Sequence, residues 1–282
     1  MTNVETKHNF ETILYEKKGP IAKVTMNRPE KRNAQNGRMI EEMDTAFIVA
    51  EQDPEIKVVI LSGAGKSFCA GHDLKLYAVE DGAINRPPNV EGKWLYEKDY
   101  FYDKLLRTWR MKKPVIAQVQ GHALAAGFMI ANMCDLVIAS EDAVFGDPVV
   151  RMGAAAAEIL CHPWVLPPRI AKELLFTGQY LDAKRGYDLG MVNKVVPIEQ
   201  LEEATMSIAK NIALMPPFTI KIIKNSVNRV LDIQGFENSI NAHFETHVMS
   251  HWTDEAQSEF EKSRRESANI KEFINKRDEK FL

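Results

Sequence analysis

The chain has 282 residues, of which 45% are hydrophobic and 27% are charged, enough to bury one large core or two smaller ones. Its formal net charge of −3 gives no bulk attraction to nucleic acid or to an anionic membrane, so neither partner is expected. The three cysteines, Cys69, Cys134 and Cys161, form no Cys-x-x-Cys pair and no even disulfide set, which favours a reducing, cytoplasmic location. A polar N-terminal stretch and the lack of a long apolar run predict no signal peptide and no membrane span.

The first two thirds of the chain alternates short apolar runs with amphipathic stretches. Residues 12–29 contain two β-prone runs around a Lys-Gly-Pro turn signal, which predicts a hairpin. Residues 37–53 carry apolar side chains at helical spacing until an Asp-Pro pair ends the pattern. Residues 57–63 form a continuous apolar run typical of a strand buried on both faces. Further strand patterns follow at residues 113–121, 134–148 and 194–197, with helical stretches between them. This alternation predicts an α/β layered fold with right-handed crossovers.

From about Glu199 onward the strand signal ends and three amphipathic stretches follow, at residues 199–215, 217–233 and 255–281. Because helical patterning replaces the alternation, we divide the chain into a core module, residues 1–198, and a helical module, residues 199–282.

One long segment separates the first strands from the rest of the core. Residues 81–103 combine a Pro-Pro pair, glycines and five aromatic side chains, which predicts a long loop that becomes helical near Trp94. A loop of this length in a compact domain is usually functional or disordered. Its aromatic content favours a cover over a substrate, and a packed surface excursion is the alternative.

Two segments share one design, in which an apolar strand leads through a turn of small residues into a helix. They are "VVILSGAGKSFCAGHDLK", with its turn at residues 69–71, and "VIAQVQGHALAAGFMIANMCD", with its turn at residues 125–127. Small side chains let a ligand approach the backbone, and the first N–H groups of a helix have no partner within the helix. Two such donors can hold a developing carbonyl oxyanion.

These turns, in this order, resemble the landmarks of the enoyl-CoA hydratase/isomerase (crotonase) superfamily. Other stretches match it as well: "NRPEKRNAQN", "CDLVIASEDAVFGDP", "LLFTGQYLDAKRGYDLGMVNKVV" and "EFINKRDEKF". The resemblance covers nearly the whole chain. It implies a spiral of ββα turns with a C-terminal helical trimerisation region, an acyl-CoA thioester as substrate, and a homotrimer or a dimer of trimers. Coenzyme A enters as part of the substrate, and no separate cofactor is implied.

The resemblance also implies roles for individual residues. The backbone N–H groups of Ala70 and Ala126 are the expected oxyanion donors. Residues 28–34 and 70–73 are expected to cradle coenzyme A. Residues of the C-terminal tail are expected to contact it too, and in the family they commonly do so across a subunit boundary. The residues expected to contact coenzyme A are Arg28, Lys31, Arg32, Ala34, Ala70, Gly71, His72, Asp73, Phe273 and Lys276.

The chain departs from the hydratase pattern at the two positions where hydratases of the superfamily carry glutamates. Here those positions are Met129 and Val149, neither of which can transfer a proton. Adding water to an enoyl thioester needs a positioned acid and base, and general acid-base catalysis commonly contributes about 10²- to 10⁴-fold. Ordinary hydratase chemistry is therefore not expected from these two positions.

Other groups are available for proton transfer in "FGDPVVRMGAAAAEILCHPW". Glu158 lies near the position at which related isomerases and dehalogenases place a catalytic aspartate, and we predict it as the acid or base. The alternative is a carboxylate that favours a helix N-terminus. His162, four residues on, would share a helix face with Glu158 and is the second candidate, its alternative being a packed histidine. Asp147 and Arg151 are expected to pair beside the pocket.

The remaining polar residues have simpler predicted roles. Asp73 is expected to cap the helix after the first turn, and His72 to lie near the thioester or to face coenzyme A. No His/Cys cluster with metal-ligand spacing and no phosphate-binding Gly-x-x-x-x-Gly-Lys loop is recognised, so no metal is predicted. Three readings of function stay open: a hydratase or isomerase that uses Glu158, a hydrolase of a thioester or of a cyclic β-diketone C–C bond, and a non-catalytic acyl-CoA-binding subunit.

Overall fold

The computed structural model describes residues 9–74, 89–258 and 270–279. The strands are β1 (Ile13–Lys18), β2 (Ile21–Met26), β3 (Val58–Gly63), β4 (Val115–Val119), β5 (His122–Leu124), β6 (Leu136–Ser140), β7 (Val144–Gly146), β8 (Leu181–Asp182) and β9 (Lys194–Val196). The helices are α1 (Gly37–Gln52), α2 (Val90–Glu97), α3 (Lys104–Arg110), α4 (Ala126–Met133), α5 (His162–Val165), α6 (Pro168–Thr177), α7 (Ala183–Asp188), α8 (Leu201–Ala213), α9 (Pro217–Ile233), α10 (Phe236–Ser250) and α11 (Ile270–Glu279).

Two sheets organise the core. The larger has the order β1-β2-β3-β4-β6-β9 and is parallel except for the β1/β2 hairpin, whose turn contains Gly19 at φ +60°. The smaller sheet has the order β5-β7-β8, in which β5 and β7 are parallel. The predicted hairpin and the predicted alternation of strands and helices are both confirmed. After β4 and again after β6, the chain passes from the large sheet to a strand of the small sheet, β5 or β7.

The large sheet is covered on both faces, which explains why β2, β3 and β4 are apolar and buried throughout. On one face α1 contributes Met39, Ile40, Met43 and Phe47 to the main core cluster. On the other face Leu201, Ala209 and Ala213 of α8 pack against the strands. The first helix after the predicted module boundary at residue 199 is therefore part of the core, and that boundary does not separate two hydrophobic cores.

The aromatic segment is helical over the part that the structure describes. Helix α2 begins at Val90, as predicted near Trp94, and runs through a π-helical stretch (Lys98–Asp103) into α3. Phe101 and Tyr102 of the π-helical stretch are buried. The part of the predicted loop before residue 89 lies outside the described residues, as does the helix expected after Leu74.

Helix α10 was not predicted from the sequence. Its side chains at residues 236, 240, 244 and 248 follow helical spacing and are buried, so the helix packs against the core along this face. The sequence pattern there is interrupted by polar and histidine residues, which hides the amphipathic face. Among the described residues, no helix is both long enough and apolar enough to cross a bilayer.

Candidate active site

The second turn presents an open backbone donor at the start of α4. Ala125 adopts φ +49° and ψ −114°, a conformation that L-residues rarely take and that commonly marks a functional site. Its N–H donates to the Gly146 carbonyl at 2.8 Å, and its carbonyl accepts the Met129 N–H at 2.9 Å. Within the described chain the Ala126 N–H, the first of the helix, donates to no acceptor. The strained turn thus directs an unused donor away from the helix.

The two predicted turns are in direct contact. A Cβ on Gly127 would lie 2.3 Å from the Cys69 carbonyl oxygen, and a Cβ on Gly71 would lie 3.1 Å from the Ala125 Cβ. Gly71 has φ +102°, which also favours glycine. That hypothetical Gly71 Cβ would be 3.8 Å from the Ala126 nitrogen, so the first turn lies beside the open donor of the second. The glycines are required because the two backbones approach each other this closely.

The donor on the first turn is different from the predicted one. The Ala70 N–H donates to the Arg32 carbonyl at 3.0 Å, and the Gly71 N–H faces the Cys69 Sγ at 3.4 Å. The prediction that Ala70 supplies an oxyanion donor is therefore wrong, because its hydrogen is already used to hold the turn. The His72 N–H is the one on this turn for which the described residues offer no acceptor. Sequence spacing alone did not reveal which of these N–H groups the fold consumes.

Glu158 lies among histidines from two other parts of the chain. Its Oε1 is 3.2 Å from the His72 Nε2 and 3.8 Å from the His247 Nε2, and all three side chains are largely buried. The His72 ring stacks on Phe101, with centroids 3.9 Å apart. The Glu158 Oε2 has no hydrogen-bond partner among the described residues. The Oε1 thus faces two imidazoles at ion-pair distance, while the Oε2 faces no partner among the described residues.

The surrounding charges decide the ionisation of Glu158. Burial alone would raise the pKa of this carboxyl, but the charges of His72 and His247 and the His72 hydrogen bond outweigh burial and hold the pKa well below its usual value. For His247, burial acts to lower the pKa, whereas hydrogen bonding to Glu97 and the charge of Glu158 raise it, and the net direction is upward. Glu158 is therefore favoured as the carboxylate.

Backbone contacts fix the loop that carries Glu158. The Ala157 N–H donates to Asp147 Oδ2 at 2.7 Å, and the Ile159 N–H faces the Met129 Sδ at 3.1 Å. Glu158 lies in this loop and not on a helix, so the predicted shared helix face with His162 is wrong. The alternative of a helix N-terminal carboxylate falls for the same reason. Met129, at which the resemblance implies a glutamate in hydratases, contacts the loop that supplies another carboxylate.

His162 belongs to the core. Its ring is fully buried, stacks on Phe128 with centroids 4.4 Å apart, and has no hydrogen-bond partner on either nitrogen among the described residues. Burial lowers the pKa of His162 to about 3, whereas burial raises the pKa of nearby Asp147 to about 6. The predicted catalytic role of His162 is therefore replaced by its alternative, a packed histidine. The predicted Asp147 to Arg151 pair is not formed either, since Arg151 binds Asp278 at 3.0 Å.

The segments predicted to cradle coenzyme A lie together. The Arg28 guanidinium donates to the Ala34 carbonyl at 2.5 Å and to the Asp73 carboxylate at 2.8 Å, which ties the first segment to the first turn. Lys31 and Arg32 are exposed beside them and are available to a phosphate. The Asp73 carboxylate binds an arginine across the two segments. Contact of these residues with coenzyme A stays a prediction.

The predicted tail contacts lie on α11. Phe273 is buried, and the Lys276 Nζ lies 2.9 Å from the Glu272 carboxylate on the same helix. Helix α11 packs near the 3-10 turn Pro148–Met152 through the Arg151 to Asp278 ion pair. Whether Phe273 and Lys276 contact coenzyme A is not decided by these contacts and stays a prediction.

Sequence reasoning missed the ionisable residues that face Glu158 from α2 and α10. The Glu97 Oε2 is 3.5 Å from the His247 Nε2, and both side chains are almost fully buried. Helix α10 and the residue after it carry histidines at every fourth position, His243, His247 and His251, which is a spacing that places side chains on one helix face. This spacing is the signal from which the cluster could have been found.

The comparisons with known proteins agree with this architecture. A family model described as enoyl-CoA hydratase/isomerase matches residues 16–282. A Mycobacterium tuberculosis protein carrying an enoyl-CoA hydratase name is 40% identical over 261 residues, covering 86% of this chain and 81% of the relative. A short-chain-enoyl-CoA hydratase of Clostridium acetobutylicum is 36% identical over 225 residues, covering 78% and 82%.

Solved structures match over similar lengths. A crystal structure of an enoyl-CoA hydratase/isomerase from Xanthobacter autotrophicus has a TM-score of 0.88 and 34% identity, and the match covers 97% of this chain and 99% of that one. A Mycobacterium smegmatis structure with an enoyl-CoA hydratase title has a TM-score of 0.80 and 41% identity, covering 87% and 96%. The likeness thus extends over the paired turns, the loop of Glu158 and the C-terminal helices.

Proposed function

The chain belongs to the enoyl-CoA hydratase/isomerase family, and from this premise we propose that the His72 and Ala126 N–H groups bind the oxygen of an acyl-CoA thioester. The fold is the crotonase fold, and the family processes acyl-CoA substrates. The observation that carries the proposal is the pair of unused donors on two touching turns, one of them held by a strained Ala125. Donors fixed in advance stabilise an oxyanion without reorganising during the reaction.

Glu158 is the base in this proposal. Its carboxylate is ionised because its pKa is held below the usual value, and its Oε2 has no partner within the described residues. It would accept a proton from a carbon of the acyl group or from water, and then return it as the acid. Met129 and Val149 cannot serve, so the proton transfer moves to the loop that Met129 anchors.

His72 contributes to the proposed site twice. Its backbone N–H is an oxyanion donor, and its ring holds the Glu158 Oε1 at 3.2 Å. Because the ring stacks on Phe101, its position is set by the aromatic helix that the sequence predicted to cover the substrate. Any shift of that helix would therefore move the base relative to the oxyanion donors.

The buried carboxylate and its imidazole partners favour an enzyme over a non-catalytic binding subunit. A binding subunit needs no unpaired buried carboxylate oxygen, and maintaining one costs free energy. Between a hydratase or isomerase and a hydrolase, the same base and oxyanion donors serve either reaction. We propose hydratase or isomerase chemistry on an acyl-CoA, because the family and the named relatives carry that description.

A product analysis tests this proposal. The purified chain is incubated with a panel of enoyl-, hydroxyacyl- and cyclic oxo-acyl-CoAs, and the products are separated and followed by mass spectrometry. Addition or loss of water on an open-chain thioester, or a double-bond isomer of unchanged mass, supports the proposal. Release of free coenzyme A or opening of a cyclic diketone would reassign the enzyme as a hydrolase. Binding without turnover across the panel would support the non-catalytic reading.

Assembly as a homotrimer or a dimer of trimers is also proposed. Helix α9 presents a row of exposed apolar side chains, which is unusual for a surface that stays in water. They are Phe218, Ile222, Ile223, Val227, Val230 and Ile233. Sedimentation velocity of the purified chain would show a species of three or six copies, and a monomer at micromolar concentration would contradict the proposal.

A further inference from the structure

We propose that Glu97, His247 and His251 form a binding site for one divalent transition metal ion of the zinc type. The Nε2 atoms of the two histidines are 3.1 Å apart, and the Glu97 Oε2 is 3.5 Å from the His247 Nε2. All three ligand atoms lie within 4.8 Å of one another. This site goes beyond the proposed thioester chemistry, because its occupancy can be measured without any substrate.

The separations match those of ligands that share one ion. Zinc binds histidine nitrogen at about 2.0–2.1 Å and carboxylate oxygen at about 2.0–2.2 Å in a tetrahedral arrangement, which places neighbouring ligand atoms about 3.3 Å apart. The observed 3.1 Å and 3.5 Å bracket that value. The two histidines are four residues apart at the end of α10, so one turn of helix brings both rings to the same face. Their rings meet nearly at right angles, at 85°.

Neighbouring groups orient two of the three ligands. The His247 Nδ1 lies 2.7 Å from the Ala156 carbonyl, which requires the hydrogen on Nδ1, so that release of the Nε2 proton on metal binding presents the Nε2 lone pair to the cluster. Metal-binding histidines commonly use this arrangement. The Lys93 ammonium lies 3.6 Å from the Glu97 Oε1, whereas the Glu97 Oε2 faces His247. Both Lys93 and Glu97 are almost fully buried.

The donor set selects the class of ion. Two imidazole nitrogens and one carboxylate oxygen suit zinc and its first-row neighbours, whereas magnesium and calcium prefer sites made of oxygen ligands. The Glu158 Oε1 is a further carboxylate oxygen close to this cluster, at 3.8 Å from the His247 Nε2. A metal bound here would therefore lie close to Glu158, the proposed base, and its charge would act on that carboxylate.

The competing reading is a proton-sharing network without a metal. In that reading His247 is an imidazolium held between Glu97 and Glu158, and His251 accepts or donates one hydrogen bond to it. The two readings differ in a measurable way. A metal site binds one ion per chain and loses affinity when His251 is replaced, whereas a proton-sharing network binds no ion stoichiometrically.

The test uses the full chain stripped of metal with a chelator. Calorimetric titration with Zn²⁺ is expected to give one ion per chain, and Co²⁺ is expected to show the visible absorption of a tetrahedral site. His251→Gln and Glu97→Gln should each lower the Zn²⁺ affinity by at least the roughly 10- to 100-fold loss that even an outer partner of a metal ligand causes. Each variant is first checked for a cooperative thermal transition without metal.

His243→Gln is the matched control. His243 lies one turn before His247 on the same helix, but its Nε2 is held at 3.0 Å from the Ala157 carbonyl and is not among the three ligand atoms that lie within 4.8 Å of one another. This variant is expected to bind Zn²⁺ as the unmodified chain does. Absence of stoichiometric binding by the unmodified chain, or unchanged affinity in folded His251→Gln, would overturn the proposal in favour of the proton-sharing network. Should Glu97→Gln fail to fold, the partly exposed His251 still decides the question. Because the readout is metal binding, failure here would leave the proposed thioester chemistry untouched.

Discussion

The paired turns and the cluster around Glu158 are built from different materials. The turns at residues 69–73 and 124–127 use backbone N–H groups, small side chains and one strained alanine. The cluster uses ionisable side chains from the first turn, the Glu158 loop, α2 and α10. The backbone part is made by two local turns, whereas the candidate base comes from the loop between the Pro148–Met152 turn and α5. The two parts therefore depend on different contacts: the donors depend on local backbone geometry, and the carboxylate depends on side chains from distant segments.

The physical reason lies in how each part is held. An N–H group at a turn depends on local backbone geometry, so it persists while neighbouring side chains change. A base can act from any element that brings it within reach of the substrate. Its pKa is then set by burial and by the charges that surround it. Met129 offers no base on α4, but its sulfur faces the Ile159 N–H and helps to fix the loop that carries Glu158.

Glu158→Gln should have the largest effect on turnover. The amide keeps the size of the carboxylate but cannot accept a proton, so kcat on the substrate identified by the panel is expected to fall by about 10²- to 10⁴-fold. Binding of coenzyme A should change little. Steady-state kinetics compared with Glu141→Gln, an exposed carboxylate on a turn, gives the control. Turnover within about twofold of the unmodified enzyme would remove Glu158 from the mechanism.

Ala126→Pro should have the next largest effect, because it removes one oxyanion donor. Proline is tolerated at the first position of a helix, so α4 can persist while kcat falls by about 10²- to 10³-fold. Ala125→Gly is the matched control, since it eases the positive φ and keeps every N–H. Kinetics and a coenzyme A binding measurement distinguish the two. Equal losses in both variants would point to damage of the turn and not to loss of a donor.

Met129→Leu tests the link between the two regions. Leucine fills a similar volume but offers no sulfur to the Ile159 N–H, so a buried donor is left without an acceptor. The free energy of unfolding is expected to fall by about 1–3 kcal/mol. Met133→Leu on the same helix, also buried, should cost less than about 1.5 kcal/mol in urea denaturation. If both variants lost the same stability, the sulfur contact would have no special role.

His162→Phe should have the smallest effect at neutral pH. The phenyl ring can keep the stacking on Phe128, so the free energy of unfolding at pH 7 should change by less than about 1.5 kcal/mol. The pH dependence should change more. Burial lowers the pKa of His162 to about 3 from its ordinary 6.5. Between pH 3 and pH 6.5, His162 is therefore protonated in the unfolded chain and neutral in the folded chain.

The sign of that dependence follows directly. Stability of the unmodified chain falls as the pH drops from about 6.5 toward 3, and the phenylalanine variant lacks this contribution. Asp147 acts in the opposite sense, since its raised pKa favours the folded chain at lower pH, and it is present in both proteins. Urea denaturation at pH 7 and pH 5 should therefore show a smaller acid loss in the variant. An identical loss in both would mean that folding does not lower the pKa of His162.

Local patterns determined much of this protein. The hairpin, the buried strands, the helix start near Trp94 and the small-residue turns follow from residue periodicity and turn chemistry, which depend on neighbours in the chain. The candidate carboxylate Glu158 was also identified from the sequence. Helix α10 and its histidines escaped prediction because polar residues interrupt its pattern and only packing against the core makes it regular.

The tertiary structure alone decided which groups are free to act. Ala70 and His72 lie two residues apart on one turn, yet the fold gives the Ala70 N–H to the Arg32 carbonyl and leaves the His72 N–H open. Glu158 and His162 lie four residues apart, yet one faces histidines from distant segments and the other is packed on Phe128. A hydrogen bond or an ion pair between distant segments has no signature in local sequence, because its partner is chosen by the packing of the whole chain.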